Sequence, residues 1–183
     1  MLKFLAIFLI SIGAQAHAGV FDVGGTLSYS KSTYNGGSYT WTRGWTGTFG
    51  YFFTQESELE VMYLDSVTKD YLAGSQDITY HDRTYSINML YHLFTEADPV
   101  RPYFKVGIGQ LNRNATGTYA ANGAVFAPPS ELDQITVILG AGVKVKLASQ
   151  FSLKGEATSY LSGGNIGSWK DNISVNIGGS YYF

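Results

Sequence analysis

The sequence predicts an all-β protein: an eight-stranded antiparallel transmembrane β-barrel with short turns at one end and long loops at the other. Three observations predict it. Apolar residues recur at every second position in eight segments. Short turns and long polar connections alternate between these segments, which is the asymmetry of membrane barrels. The last segment keeps the alternation up to an aromatic final residue, Phe183. Strands in lipid must close into a barrel, because every backbone polar group there needs a partner.

The composition suits strands and excludes several classes of function. The chain has 183 residues, a single-domain length, and only 14% of them are charged, against roughly 25% in soluble domains. Its 14 tyrosines, 11 phenylalanines and 22 glycines favour strands over helices. The net charge of −2 and the lack of a Lys/Arg cluster argue against nucleic acid as a partner. The absence of cysteine excludes disulfides, thiolate metal sites and cysteine nucleophiles, and we expect no cofactor.

The first 18 residues have the organisation of a secretory signal peptide. Lys3 precedes an apolar run at residues 4–12, and Ala16-His17-Ala18 fits an A-x-A cleavage site. The run is too short to span a bilayer as a helix, which needs about 20 residues. We therefore expect residues 1–18 to be a signal peptide and residues 19–183 to be the barrel domain. Cleavage after Ala16 is the alternative.

Eight amphipathic strands are expected in the mature chain. Their approximate positions are residues 20–30, 41–53, 58–68, 79–94, 102–114, 132–147, 151–161 and 173–183. Long polar loops are expected at residues 31–39, 69–77, 115–130 and 162–170, with short turns between the other strands. The segments reach the roughly 9–11 residues that a tilted strand needs to cross hydrocarbon. The last strand should close the sheet by pairing with the seventh and the first.

A soluble barrel is the alternative fold. A lipocalin-like barrel also closes eight strands, but its apolar faces point inward. Here the polar faces are rich in Gly, Ser, Thr and Asn, which would make a poor solvent surface. The apolar faces place Tyr and Trp near the strand ends, where membrane barrels carry their aromatic girdles. The pattern therefore favours a membrane barrel.

Short motifs on this framework resemble a known family. They are Ala16-His17-Ala18 and residues 50–54 (GYFFT), 59–61 (LEV), 101–109 (RPYFKVGIG) and 178–183 (GGSYYF). With these motifs the chain resembles the small eight-stranded outer-membrane proteins of Gram-negative bacteria, such as the OmpA transmembrane domain, OmpX and the opacity-like "porin family". The resemblance implies residence in the cell outer membrane, with periplasmic short turns and extracellular long loops. It also implies insertion by the outer-membrane assembly machinery, with Tyr181 and Phe183 in the recognised terminal strand.

Charged residues on the inward parity suggest how the interior is filled. These residues are Asp22, Glu58, Glu60, Lys105, Lys144, Lys146, Lys154 and Glu156. Counted from the short turns, Glu60, Lys105, Lys144 and Glu156 fall at similar depths. Side chains just fill an eight-stranded barrel, and charges in such an interior must pair. We predict an ion-pair network of these four residues that plugs the barrel. The alternative is a narrow, wet channel with solvated charges.

An enzymatic interpretation finds little support in the sequence. Some small outer-membrane barrels are lipid A deacylases with a Ser–His–carboxylate site near the extracellular rim. His81 has the outward parity there, beside Asp82, but the positions that such a site needs for serine hold Thr79 and Arg83. His17 leaves with the signal peptide, and two remaining histidines cannot form a His-rich metal site. We expect no catalytic, cofactor-binding or metal-binding residues.

The loops remain for contact with partners. Basic residues near the loop ends are expected to meet anionic lipopolysaccharide; they are Lys31, Arg43, Lys69, Arg83, Arg113 and Lys170. Loop aromatics are expected to rest on lipopolysaccharide, and contact with a host surface or a phage protein is the alternative. The sequence predicts a monomeric, non-enzymatic outer-membrane protein with a structural or adhesin-like surface role. A narrow porin-like channel is the alternative, and a lipid A-modifying enzyme is a remote one.

Overall fold

The computed structural model describes residues 21–95, 97–121, 124–128, 131–163 and 173–183. Its strands are β1 Phe21–Thr33, β2 Tyr39–Phe52, β3 Ser57–Leu72, β4 Gln76–His92, β5 Val100–Ala121, β6 Ala124–Phe126, β7 Glu131–Ala148, β8 Phe151–Ser162 and β9 Ile173–Tyr182. A short 3₁₀ turn, Asn35–Gly37, connects β1 to β2. The predicted signal peptide and both cleavage sites lie outside the described residues, so the division at residue 18 stays a prediction.

Eight of these strands close into one antiparallel barrel. Each of β1 to β4 pairs with the next strand, β5 pairs with β7, β7 with β8, β8 with β9, and β9 returns to β1. The short β6 pairs with β5 alone and stands outside the closed ring. The predicted fold class is confirmed. Within the described part of the chain, no helix is long and apolar enough to cross a membrane.

The strands are strongly staggered. A row of cross-strand partners begins at Phe21, the first residue of β1, and continues through Tyr51, Leu59, Met89, Val106, Leu139, Ser159 and Ile173. Ile173 begins β9, which runs antiparallel to β1, so the row climbs from the short-turn end to the loop end. Closure of a barrel requires this combination of tilt and stagger. As a result, residues at the same depth are not direct cross-strand partners.

The two faces of the barrel are inverted relative to a soluble protein. Val61 is 54% exposed on the outside, while its neighbour Glu60 is 1% exposed on the inside. Aromatic residues ring the apolar outer wall near both ends. Those near the loop end are Tyr29, Trp45, Tyr63 and Tyr85, and those near the short-turn end are Phe21, Tyr51, Tyr91, Tyr181 and Phe183. An apolar wall between two aromatic girdles is the surface that a bilayer requires.

Several strands continue further than the sequence predicted. β3 and β4 run into the expected loop at residues 69–77 and leave only residues 73–75 between them. β5 continues to Ala121 and forms a hairpin with β6 inside the expected loop at residues 115–130. These loop boundaries were wrong because a backbone ladder outside lipid needs no apolar side chains. Most of the expected loop at residues 162–170 lies outside the described residues.

The seam between the first and last strands forms as predicted. β9 pairs with both β1 and β8. At the short-turn end, the backbone N–H groups of Phe21 and Phe183 each donate to the other's carbonyl oxygen at 3.0 Å. Their rings stack with centroids 5.8 Å apart. The two chain ends of the barrel are therefore joined by both backbone and aromatic contacts.

Candidate functional site

The interior of the barrel is the candidate site, because it holds most of the buried charge. Inward residues of six strands form two groups of opposite charges. The central cluster consists of Glu60, Lys105, Lys154 and Glu156. The turn-side cluster, nearer the short turns, consists of Asp22, Glu58, His92 and Lys144. Each of these side chains is at most 6% exposed.

The central cluster alternates two lysines with two glutamates. Lys105 Nζ lies 3.0 Å from Glu60 Oε1 and 2.7 Å from Glu156 Oε2. Lys154 Nζ lies 3.0 Å from Glu60 Oε2 and 3.4 Å from Glu156 Oε2. Each cation thus bridges both carboxylates, and the charges in the cluster balance. Such mutual contact is what allows charges to remain ionised away from water.

Neutral donors complete the coordination of the two glutamates. Asn88 Nδ2 donates to Glu60 Oε1 at 3.1 Å. The Tyr103 hydroxyl donates to Glu156 Oε2 at 2.7 Å, and the Thr158 hydroxyl donates to Glu156 Oε1 at 2.7 Å. All three side chains are buried. The glutamates are therefore held in position from β4, β5 and β8 as well as by the lysines.

The turn-side cluster is built around one lysine. Lys144 Nζ contacts the carboxylate of Asp22 and lies 2.9 Å from Glu58 Oε2. The same Glu58 oxygen lies 2.9 Å from His92 Nε2. The Lys144 ammonium also lies over the ring of Phe52, at 5.3 Å from its centroid. This cluster links β1, β3, β4 and β7 across the lumen.

The structure groups the predicted network residues differently from the sequence. Glu60, Lys105 and Glu156 meet, but Lys144 lies in the turn-side cluster. The register explains the difference, since Glu156 faces Gly142 across the β7–β8 pair while Lys144 faces Lys154. Sequence reasoning left Lys154 out of the four. Inward parity identifies all of these positions, but depth depends on the stagger.

Besides the two clusters, the interior holds an ion pair nearer the loop end, between Arg113 and Asp82. Arg113 donates from Nε and Nη2 to the two carboxylate oxygens of Asp82, at 2.7 Å each. Its guanidinium also lies over the ring of Tyr80, at 5.0 Å. Arg113 therefore faces Asp82 inside the barrel, in contrast to its predicted contact with lipopolysaccharide. A bidentate pair of this kind adds geometric specificity as well as energy.

On the outer wall, His81 pairs with a residue other than its sequence neighbour Asp82. His81 Nε2 lies 3.0 Å from Asp65 Oδ1, and Arg83 Nε lies 3.5 Å from Asp65 Oδ2. The Tyr63 hydroxyl donates to the same Asp65 oxygen at 3.3 Å. These side chains form a polar patch at the aromatic girdle near the loop end, on the side of the loops. No serine takes part in these contacts.

The outer wall also carries a groove of about 770 Å³ across β9, β1, β2 and β3. Its apolar lining includes Leu27, Trp45 and Ile177, and Arg43 borders it. The Arg43 guanidinium lies 5.5 Å from the Trp41 ring centroid. Among the described residues no carboxylate forms an ion pair with it. The groove therefore combines hydrocarbon-compatible walls with Arg43 and with Asp65, whose carboxylate pairs with His81 and Arg83.

The hairpin between β3 and β4 extends beyond the apolar wall. Near its tip, Lys69 Nζ lies 3.2 Å from Asp77 Oδ1. The hydrogen bond from Lys69 to Asp77, together with the charge of that carboxylate, raises the pKa of Lys69. Elsewhere in the described ranges, no group of three or more His, Asp or Glu side chains is placed to hold a metal ion.

The comparisons with known proteins agree on the fold. A family model described as "Outer membrane protein beta-barrel domain" matches residues 3–183. No curated protein matches the sequence significantly.

Solved structures are similar despite low sequence identity. OprG from Pseudomonas aeruginosa aligns with a TM-score of 0.57 at 11% identity, covering 90% of this chain and 95% of that one. The N-terminal β-barrel domain of OprF from the same organism aligns with a TM-score of 0.56 at 18% identity, covering 92% and 100%. Ail, the attachment invasion locus protein of Yersinia pestis, aligns with a TM-score of 0.50 at 12% identity, covering 90% and 97%. At these identities the likeness shows the fold alone.

Proposed function

The chain belongs to the outer-membrane β-barrel family, and on that premise we propose that it is a non-enzymatic barrel with a charge-plugged lumen and a structural or adhesin-like surface role. The observation that carries the proposal is the pair of buried clusters. Eight strands leave an interior that side chains just fill. Here two lysines and two glutamates bridge one another at the centre, and a second cluster fills the turn side. A barrel whose lumen is closed does not conduct, so its role would be structural or would depend on contacts made by its extracellular surface.

A narrow porin-like channel is the second candidate. It is favoured by buried interior atoms without a protein hydrogen-bond partner among the described residues, including Asp22 Oδ1, His92 Nδ1 and Ser180 Oγ. Water would satisfy these atoms, and water in the lumen is the first requirement of a channel. The two candidates differ in whether that water is continuous past the central cluster.

Conductance of the refolded protein separates the two candidates. The full mature chain is reconstituted in planar bilayers, with heat-modifiable migration on gels as the check that the barrel has formed. We expect no stable openings from the natural sequence. A variant with both central lysines replaced, Lys105→Met with Lys154→Met, tests whether the plug can be opened. Stable openings of the unmodified protein would refute the plug and favour the channel.

The non-enzymatic part of the proposal is supported by the surroundings of His81. Its Nε2 is engaged by Asp65, and the outward neighbours on the same strand are Thr79 and Arg83. A triad needs a nucleophile within hydrogen-bond reach of the base. Incubation of the refolded protein with lipid A, followed by mass spectrometry, should release no fatty acid. Release that His81→Asn abolishes would contradict this part of the proposal.

Lipopolysaccharide is the proposed lipid partner of the outer wall. Support comes from the groove, where Leu27 and Ile177 suit an acyl chain and Arg43 suits a phosphate. Arg43→Gln should increase the sensitivity of cells to detergent. Lys69→Gln is the matched control: Lys69 was also expected to meet lipopolysaccharide, but the structure pairs it with Asp77 on the hairpin beyond the wall, so its loss removes the same charge without removing an unpaired cation. Equal behaviour of the Arg43 variant and the natural protein would remove the support for this contact.

A further inference from the structure

A small cavity opens at the short-turn end of the barrel, which is the periplasmic end in this family. Its volume is about 240 Å³. Three cations line it, Arg101, Lys144 and Lys146, together with the Ser149–Gln150 turn and hydroxyl groups, and no acidic side chain does. Apart from Phe183, the last residue of the sequence, the lining consists of groups that donate hydrogen bonds, and such a lining is suited to an anion.

Arg101 is the residue that distinguishes this cavity from an ordinary opening. It is only 4% exposed, and its guanidinium lies over the ring of Phe52, at 5.0 Å from the centroid. Nη2 donates to the backbone carbonyl of Gln55 at 3.1 Å. The buried Nε has no hydrogen-bond partner among the described residues. A guanidinium carries five donors and cannot lose its charge, so an unfilled donor in a buried site is costly.

The surrounding charges do not compensate Arg101 locally. Its direct cross-strand partner in the register is Lys144, a second cation. Like charges directly opposite each other destabilise a sheet. Lys144 is neutralised by Asp22 and Glu58, but within the described residues no carboxylate forms an ion pair with Arg101. Phe183 also lines the cavity, and its carbonyl oxygen accepts a hydrogen bond from the N–H of Phe21.

We propose that this cavity binds one small oxyanion, a phosphate or carboxylate group that enters from the periplasmic side, with Arg101 as its principal contact. A planar guanidinium matches such groups because it offers paired donors. The cavity accommodates a single group of this size. The bound anion relieves the repulsion between Arg101 and Lys144 and so stabilises the β5–β7 pair. This site is independent of whether the lumen conducts.

Two sources could supply the same chemistry, a free anion and the headgroup of a phospholipid. The refolded chain is therefore studied in octyl glucoside, a detergent without phosphate. One series receives inorganic phosphate at constant ionic strength, and the other receives short-chain phosphatidylglycerol. The readout is the unfolding equilibrium followed by heat-modifiable migration and circular dichroism. Binding to the folded state alone raises the folded-to-unfolded ratio about tenfold at ten times the dissociation constant.

The natural sequence should respond saturably to at least one series. A response to inorganic phosphate identifies a soluble anion, and a response to phosphatidylglycerol alone identifies a headgroup. Arg101→Gln should lose the response. Arg83→Gln is the matched control, since it removes a guanidinium from the outer wall near the loop end, and it should respond as the natural sequence does. Absence of any response in the natural sequence, or a full response in Arg101→Gln, would overturn the proposal.

A second variant keeps the test decisive if Arg101→Gln does not refold. Ser149→Asp changes an exposed turn residue that lines the cavity and supplies a carboxylate within the chain. It should raise stability in phosphate-free buffer and reduce the response to added anion. An undiminished response in Ser149→Asp would count against the cavity as the binding site.

Discussion

Replacement of Lys105 by methionine is the sharpest perturbation of the central cluster. The change removes one positive charge and keeps an unbranched apolar side chain of similar length. In the natural protein Lys105 Nζ bridges Glu60 and Glu156 at 3.0 and 2.7 Å. After the change, two buried carboxylates share the single charge of Lys154. The cluster then carries a net negative charge in a site that excludes bulk water.

The expected loss follows from the cost of leaving a buried charge without its partner, about 3–5 kcal/mol. Neutral donors from Asn88, Tyr103 and Thr158 remain, which favours the lower part of that range. For a chain of this length the loss corresponds to a fall in Tm of roughly 6–20 °C, at about 2–4 °C for each kcal/mol. An exposed ion pair of comparable geometry contributes only about 0–1 kcal/mol.

The assay is equilibrium unfolding by urea of the barrel refolded in micelles, with the change in unfolding free energy as the readout. Lys69→Met is the matched control, because Lys69 pairs with Asp77 at 3.2 Å in a position that is partly open to solvent. It should leave the free energy of unfolding nearly unchanged, because solvent screens a pair at the surface. Adding Glu156→Gln to Lys105→Met restores the charge balance and should recover part of the loss.

Two results would refute this reasoning. The first is an unfolding free energy of Lys105→Met within about 1 kcal/mol of the natural value, which would mean that water solvates the central charges. If the variant also conducted in planar bilayers while keeping its stability, Lys105 would act as a gate in a wet lumen. Either outcome would replace the plug by the channel.

Three further predictions concern the seam and the hairpin tip. Gly178→Ala should lower the stability of the barrel by about 1–3 kcal/mol, because a Cβ there would overlap backbone atoms of β1. Gly25→Ala is its control: the nearest atom to an added Cβ lies at 3.6 Å, so this variant should fold normally, as judged by heat-modifiable migration on gels. Deletion of Phe183 should slow membrane insertion more than it lowers the stability of the inserted barrel; equal effects on insertion rate and unfolding midpoint would contradict its role as an assembly signal. Asp77→Asn should return the pKa of Lys69 towards its ordinary value, as followed by NMR titration of the ε-methylene group; an unchanged pKa would show that the pair does not form in solution.

Strand identity could be predicted because it rests on a local pattern. Residues 135–147 alternate apolar and polar side chains, and the structure pairs this segment on both sides within β7. The strand ends were harder to predict. In β5 the side-chain pattern fades after Asn114, yet the ladder continues to Ala121, since backbone hydrogen bonds do not depend on side-chain polarity.

The candidate site was predictable in its membership but not in its grouping. Glu60, Lys105 and Glu156 have inward parity, and their opposite charges anticipate pairing. Asp65 gave no such signal as the partner of His81, because the two residues lie on different strands. Arg101 was noticed only as part of a motif. Its burial opposite Lys144 became apparent from the β5–β7 register.

The sequence by itself determined which side of the wall each residue occupies. A period of two leaves no freedom there, since a slip of one residue would place every charge of a strand in lipid. Only the tertiary structure decided which charges share a depth. Closure of eight tilted strands staggers the register, and this stagger brings Lys154, in place of Lys144, to Glu60 and Glu156. The terminal strand shows the same division: its alternation up to Phe183 predicted a membrane strand, and its contacts with Phe21 made it the seam that closes the barrel.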